Sequence, residues 1–489
     1  MLRRFFTRSF NKMAQVPQKP LIAIIGATGT GKSNLAVDLA LRFNGEIVNG
    51  DAMQLYAGLP VITNKITEEE QRGIPHHLLG CIDLDEPTWT VGQFVPRAMK
   101  TIDEIRSRGK LPILVGGTHY YTQSLLFKDG LADDDAENKT IEDSHREFPI
   151  LQEPTEVILE KLKEVDPIMA DRWHPNDRRK IQRSLEIWLK TRKPASQVYE
   201  EQRARKQTAS GNMVVDENAD ITRPSSLMRF PTILLWVHAE TETLRMRLDS
   251  RIDSMLQQGL LSEVAALDDF LHTKEASDQA VDRSRGIWVS IGYKEFELYQ
   301  KALNTADTPE AELAKLKNLG IEQTQSATRQ YAKRQVRWIR IKLLHALQEA
   351  GEQYKLFVLD GSDLDKWNES VTNPAYSLVE HFLAGRVLPD ATVIAPVAKE
   401  LLTPRREYDL SQRRDLWERR YCEACMTTAV TESDWNAHVK SRNHRKAVGS
   451  KKKQANASER WGMANAKAGD PEDGKEDIMQ SFGNLVEVK

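Results

Sequence analysis

Short apolar runs alternate with longer stretches of helical period. Leu21–Ile25 (LIAII) is apolar at every position, the mark of a parallel strand buried on both faces. Glu46–Asn49, Leu111–Val115, Thr232–Val237 and Lys355–Leu359 are further strand-like runs. Between them lie helical patterns at Lys32–Phe43, at Thr101–Arg108, over 155–200, from Glu242 and over 328–342. Ile181, Leu185, Trp188 and Leu189 recur at i, i+4, i+7 and i+8, one apolar face. Strands alternating with helices predict an α/β fold with a parallel sheet. The sheet pattern lapses over 131–230 and returns at Pro231, so that stretch reads as a helical insertion with a polar loop over 201–230.

Chemistry enters at the end of the first strand. Gly26–Ser33 fits G-x-x-x-x-G-K-S, a phosphate-binding loop: glycines turn backbone N–H groups toward one anion, Lys32 adds charge, and Ser33 offers a hydroxyl to Mg²⁺. The following helix points its positive end at the same place. The loop alone does not distinguish a nucleotide from another diphosphate. Asp51 follows the second strand on the ligand edge of the sheet. Its position leaves a general base, a Mg²⁺ ligand and a helix N-cap all open. Gly116-Gly117-Thr118 ends the Leu111–Val115 strand on the same edge. That strand lacks the terminal acidic residue that holds metal in many hydrolytic NTPases. His76 and His77 are adjacent, diverge, and make a poor metal pair.

The net charge of −2 hides local asymmetry. Residues 328–342 (TRQYAKRQVRWIRIK) carry six basic side chains and no acidic one, and residues 411–453 carry eleven basic and five acidic. Segregated positive charge points to a polyanionic partner. Aromatics interleaved in the first segment suit base stacking. Basic residues over 178–183 read by themselves as a solvated helix face. Of three cysteines, Cys422 and Cys425 join His438 and His444 in C-x2-C-x12-H-x5-H, the spacing of a ββα zinc finger. Its partner is nucleic acid or a protein. Three cysteines are too few for a disulfide framework and indicate a reducing compartment. No apolar run approaches the ~20 residues of a membrane helix. The first twelve residues are rich in Arg and Phe, and no acidic residue precedes Asp38. This reads either as a mitochondrial transit peptide or as a basic tail. Met13 offers a second start.

Assembled in order, GATGTGKS, DAMQLY, TNK at 63–65, IPHHLLG, GGTHYY, NDRRKIQRSLEI at 176–187, RIDSML, IGYKEF and TRQYAKRQVRWI resemble the eukaryotic tRNA dimethylallyltransferases. The resemblance spans about residues 20–345, and a zinc finger is typical of the eukaryotic members. It implies transfer of a dimethylallyl group from dimethylallyl diphosphate to N6 of adenosine 37 in the tRNA anticodon stem-loop. Gly26, Ala27, Thr28, Gly29, Thr30, Gly31, Lys32 and Ser33 would then hold the diphosphate, with Mg²⁺ at Ser33. Asp51 would be the base, and Thr28 and Arg251 would meet the leaving group. It places tRNA contacts at Asp51, Met53, Gln54, Leu55, Tyr56 and Thr118, at Arg179, Lys180, Gln182 and Arg183, and at Arg329, Lys333, Arg334 and Arg337. Zn²⁺ would be structural. The family usually has Ser at position 52, where this chain has Ala, and often Arg at position 180, where it has Lys.

The expected organisation is a transit peptide (1–19), a P-loop α/β core (20–130 and 231–350, the latter ending in the basic tRNA-binding helix), a helical insertion domain (131–230), a linker (351–410), a C2H2 zinc finger (411–453) and a disordered tail (454–489). The expected protein is a monomer without a membrane partner, in mitochondrion and cytoplasm, with the nucleus as a further compartment. The competing function is a P-loop nucleotide or metabolite kinase with an RNA-binding tail. A non-enzymatic RNA-binding protein would leave the phosphate loop and Asp51 unexplained. A prenyltransferase of free adenine nucleotides would leave the basic segments unexplained.

Overall fold

The computed structural model describes residues 16–128, 148–201, 227–277, 281–283, 285–305, 307–404, 417–425 and 427–450. Most of the expected leader, the polar loop from 202 to 226 and the tail from 454 lie outside these residues. The chain divides into two compact units, one of Met1–Ser144 with Gln197–Gln412, the other of His145–Ser196 with Arg413–Lys489.

The first unit is built on a parallel sheet of six strands: β1 (Leu21–Ile25), β2 (Gly45–Asn49), β3 (His76–His77), β4 (Leu111–Val115), β5 (Thr232–His238) and β6 (Leu356–Asp360). Their order is β3-β2-β4-β1-β5-β6. The apolar runs become strands because helices cover both faces. Leu21, Ala23, Ile25 and Trp236 point to one layer, where α2 (Val91–Ser107) packs with Phe94, Ala98 and Ile102. Ile22, Ile24, Ile233 and Leu235 point to the other, where α1 (Lys32–Phe43) packs with Leu35, Ala36 and Leu39. The expected Thr101–Arg108 helix is the second half of α2. Its true start is a capping box, in which Thr90 accepts from Gln93 N and the Gln93 side chain returns to Thr90 N. After β4 comes α3 (His119–Leu126).

In the second unit, α4 (Thr155–Val165), α5 (Pro167–Arg172) and α6 (Arg178–Thr191) realise the helical pattern of the insertion, with Ile181 and Leu185 fully buried. In the first unit again, α7 (Thr241–Gln257), α8 (Leu260–Ala276) and α9 (Glu310–Trp338) follow β5. The basic segment is thus the end of a 29-residue helix, α9, which continues as a wider turn over Ile339–Leu343.

Of the stretch expected as a linker, the described residues 351–404 contribute to the core of the first unit. β6 pairs with β5 from Leu234↔Leu356 to His238↔Asp360. Helix α10 (Asn373–Leu383) brings Ala375, Leu378, Val379 and Phe382 onto the α1 face of the sheet. A single strand-like run with little else around it gave no sequence cue that it closes the sheet's edge. In the second unit, β7 (Trp417–Cys422) pairs antiparallel with β8 (Thr427–Thr431) and leads into α11 (Glu432–Val439). Thr431 caps that helix by accepting from Asp434 N at 3.1 Å.

Phe357 on β6 is fully buried. Phe357→Ala is therefore expected to lower stability by about 3–5 kcal/mol, read from the midpoint of urea unfolding. A true linker position would change it by no more than about 0.5 kcal/mol.

Candidate active site

The phosphate loop leaves β1 and passes through Gly26, Gly29 and Gly31 at positive φ. It is fixed by contacts from distant parts of the same unit. A Cβ on Gly31 would lie 2.4 Å from the Trp367 ring, so the indole rests directly on the loop's backbone. Thr30 Oγ1 donates to Ala27 O at 2.9 Å, and Lys32 Nζ reaches the same carbonyl at 2.6 Å. Ser33 is partly exposed at the start of α1.

Asp51 reaches this loop from β2, although β4 lies between β2 and β1. The crossing is open because β4 ends in two glycines. A Cβ on Gly116 would be 2.2 Å from the Gly50 carbonyl carbon, and one on Gly117 would be 2.9 Å from Asp51 Oδ2. Asn49 holds the turn: its Oδ1 accepts from Asp51 N and its Nδ2 donates to Asp51 O, both at 3.0 Å. Asp51 Oδ1 accepts from Met53 N at 3.0 Å. One oxygen thus closes a local turn ahead of the short Met53–Leu55 helix, whose N-cap is Ala52, and the other faces Gly117. Asp51 therefore stands one residue before the N-cap, and its second oxygen remains turned to the ligand edge. Burial raises the Asp51 carboxyl above its ordinary value, against opposing backbone hydrogen bonds and the charge of Lys32.

Arg251 comes from α7, and its Nη1 donates to Thr28 Oγ1 at 2.9 Å. Its Nε is buried and has no protein partner. Burial lowers Arg251 to about 10, and burial, reinforced by the Arg251 charge, lowers Lys32 to about 8. Both cations are therefore short of solvation, and an anion would supply what they lack. Thr118 Oγ1 accepts from Ala52 N at 3.0 Å. This bond needs only the residue 52 backbone, so the usual Ser is dispensable for it.

Sequence reasoning gave no site role to Gln335 or His119, and read Tyr331 only as one of the aromatics suited to base stacking. Gln335, on the buried face of α9, accepts from Thr28 N at 2.8 Å and donates to Gly117 O at 2.9 Å. Burial, with the nearby Asp51 charge, raises the Tyr331 hydroxyl above its usual range. His119 is buried with both ring nitrogens unpartnered, and burial with the Lys32 charge lowers it to about 3. It is a neutral imidazole. Gln335 was masked by the basic character of its segment, and only the 3.6-residue phase against Ala332 and Ile339 pointed it inward.

The structure separates the residues expected to touch RNA. Lys333, Arg334 and Arg337 are exposed on α9, while Arg329 pairs with Asp249. Met53 and Gln54 are partly exposed, and Gln54 Nε2 donates to Asn64 O at 2.9 Å. Leu55 and Tyr56 are fully buried, and the Tyr56 hydroxyl pairs with Thr88 Oγ1 at 2.8 Å. Their side chains are core, which corrects the expectation of a direct contact: the motif alternates between cleft and interior. In the second unit Arg179 and Lys180 are exposed, the latter paired with Asp177. Arg183 pairs with Glu186 at 2.8 Å, and Gln182 donates to Leu151 O at 3.1 Å.

Also in the second unit, donor atoms of Cys422, Cys425, His438 and His444 all lie within 4.8 Å of one another. His444 Nδ1 is 3.5 Å from each sulfur and 3.1 Å from His438 Nε2. Two thiolates and two imidazoles at such spacings fit one tetrahedral Zn²⁺. Among the described residues no helix is long and apolar enough to cross a membrane.

Fold and site define a P-loop α/β protein in which a carboxylate from two strands away faces the phosphate loop. The chain belongs to the IPP transferase family, whose model matches residues 54–342. The tRNA dimethylallyltransferase of Schizosaccharomyces pombe is 37% identical over 457 residues, covering 89% of this chain and 96% of the relative. That of Homo sapiens is 35% identical over 427 residues, covering 87% and 85%. A crystal structure of a eukaryotic dimethylallyltransferase acting on tRNA superposes with a TM-score of 0.68 at 32% identity, covering 91% of this chain and all of that one.

Lys32 at about 8 gives a pH signature. Near that pH the free lysine is half neutral, and a bound diphosphate holds it protonated, so binding takes up protons and weakens as pH rises through 8. In calorimetry with inorganic diphosphate, wild type is expected to lose its affinity advantage over Lys32→Met between pH 7 and pH 9. A constant advantage would show that Lys32 does not meet the anion.

Proposed function

We propose that the protein transfers the dimethylallyl group of dimethylallyl diphosphate to N6 of adenosine 37 in tRNA. The observation that carries this reading is the convergence of Asp51 with the Thr28–Arg251 pair across the bare end of β4. The relatives named tRNA dimethylallyltransferase support it. The N6 nitrogen attacks the allylic carbon, that carbon's bond to the diphosphate oxygen breaks, and the proton lost from nitrogen passes to Asp51. Charge growing on the diphosphate is met by Lys32, by Arg251 and by the N-terminus of α1. Thr28 presents its hydroxyl on the leaving-group side. Ser33 is the residue that would hold Mg²⁺, whose chemistry there is charge neutralisation of the diphosphate. The adenine must leave its stack to reach the carbon. Lys333, Arg334 and Arg337 offer phosphate contacts from α9, and Arg179 and Lys180 offer them from the second unit. The Cys2His2 cluster is a structural zinc site. The basic N-terminal stretch supports mitochondrial import, and Met13 would serve as a second start that gives a cytoplasmic form. The working unit is taken as a monomer.

A nucleotide kinase is disfavoured by the end of β4, Val115-Gly116-Gly117, which carries no acidic residue to hold a nucleotide's metal. The deciding assay supplies radiolabelled dimethylallyl diphosphate and Mg²⁺ with tRNA or with AMP. Label in tRNA supports the proposal. Label only in AMP, or ATP hydrolysis without transfer, rejects it.

Three expectations follow from the roles. Asp51→Ala should lower transfer by on the order of 10³-fold while tRNA is still retained on a filter. Because the base must be ionised, wild-type activity should fall on the acid side with a midpoint above the ordinary aspartate value of 3.8, and an acid limb at or below that value would remove Asp51 from the role. Cys422→Ser should release the zinc measured by atomic absorption in the wild-type chain. Retention of the metal would place it elsewhere.

A further inference from the structure

We propose that Gln335 is a positioning residue for the transfer, a single buried amide that sets the spacing between the leaving-group side and the base side of the site. The inference rests on the transferase reading above. Oε1 accepts from Thr28 N at 2.8 Å, and Nε2 donates to Gly117 O at 2.9 Å. The two partners belong to the ends of different strands, and Gln335 is 4% exposed, so water does not compete for either bond. A neutral carboxamide can accept at one end and donate at the other, which a charged or apolar side chain of this length cannot do.

The position of the amide shows what it controls. A Cβ on Gly117 would lie 2.5 Å from Gln335 Nε2 and 2.9 Å from Asp51 Oδ2. The amide and the carboxylate therefore approach the same stretch of bare backbone. On the other side, Thr28 is held twice, by Gln335 at its backbone N–H and by Arg251 at its hydroxyl, 2.9 Å away. Moving Gln335 shifts the Thr28 hydroxyl relative to Asp51, and touches neither group assigned to the reacting atoms. The same turn of α9 exposes Lys333, Arg334 and Arg337. An RNA backbone held by those residues would be fixed to the reaction centre through one helical turn.

The test uses the full-length chain with labelled dimethylallyl diphosphate and tRNA. Wild type is measured first, and no transfer by wild type refutes the transferase reading itself. Gln335→Met keeps the length and removes both bonds. Its kcat should fall on the order of 10²-fold, the scale of a small misplacement, while KM for each substrate stays within about twofold. In a Thr28→Ala background the same substitution should lose most of its effect, because part of what it positions is already gone. Gln335→Asn, one methylene too short to span both partners, should behave like Gln335→Met. A kcat within about threefold of wild type would overturn the proposal. So would equal losses in both backgrounds, or failure of both Gln335 variants to fold, which would make the residue a structural strut.

Discussion

Everything at the site depends on a close approach of backbones at the carboxyl edge of the sheet. β4 separates the strand that carries Asp51 from the strand that carries the phosphate loop. A side chain on Gly116 would overlap the Gly50 carbonyl, and one on Gly117 would press on Asp51. Two successive glycines let a carboxylate on one strand face a loop two strands away without a long, floppy side chain. A short aspartate on a rigid turn gives a better-fixed base than a flexible glutamate would, since less rotamer freedom must be lost. The Gly-Gly-Thr turn therefore acts by what it leaves out.

The electrostatics follow from that geometry. Bringing Asp51, Lys32 and Arg251 into one cleft removes water from all three. Burial dominates each, lifting the carboxyl and lowering the two cations. The Lys32 charge partly offsets the desolvation of Asp51, and the reverse holds as well. Neither ion is fully compensated, and Arg251 Nε has no protein partner. A site left in this state favours a ligand that brings negative charge to the cations and a proton donor to the carboxylate. A diphosphate ester with a nucleophilic amine does both. The neutral state of His119 fits the same field, because burial and the Lys32 charge both work against its protonation, which would add a third desolvated cation to Lys32 and Arg251.

How far the sequence could be read depended on whether the signal was local. Phosphate loop, strands and zinc-ligand spacing are each written within a few dozen residues, and local patterns suffice for them. Asp51 and Arg251 became specific only through the family resemblance. Leu55 and Tyr56 went astray because a motif read as one functional string alternates between cleft and core. β6 was legible as a strand but was assigned to a linker, because a five-residue run carries no record of its partner, paired from Leu234↔Leu356 onward. Gln335 was invisible for the same reason. Its two partners are 307 and 218 residues away, and its neighbours in sequence advertise a different job.

These long-range contacts also bear on what kind of phosphate loop this is. Its Thr28 N–H is donated to a protein carboxamide rather than held toward a ligand. What Thr28 keeps on the ligand side is its hydroxyl, which Arg251 orients. Gly31 is covered by Trp367, from the stretch after β6 and beyond the residues that the family model matches. The loop is thus braced by a helix that also presents basic residues and by an indole from the last strand's connection. A brace of that kind reduces the reorganisation needed when charge develops on a departing diphosphate, which is the condition under which fixed donors stabilise a transition state most.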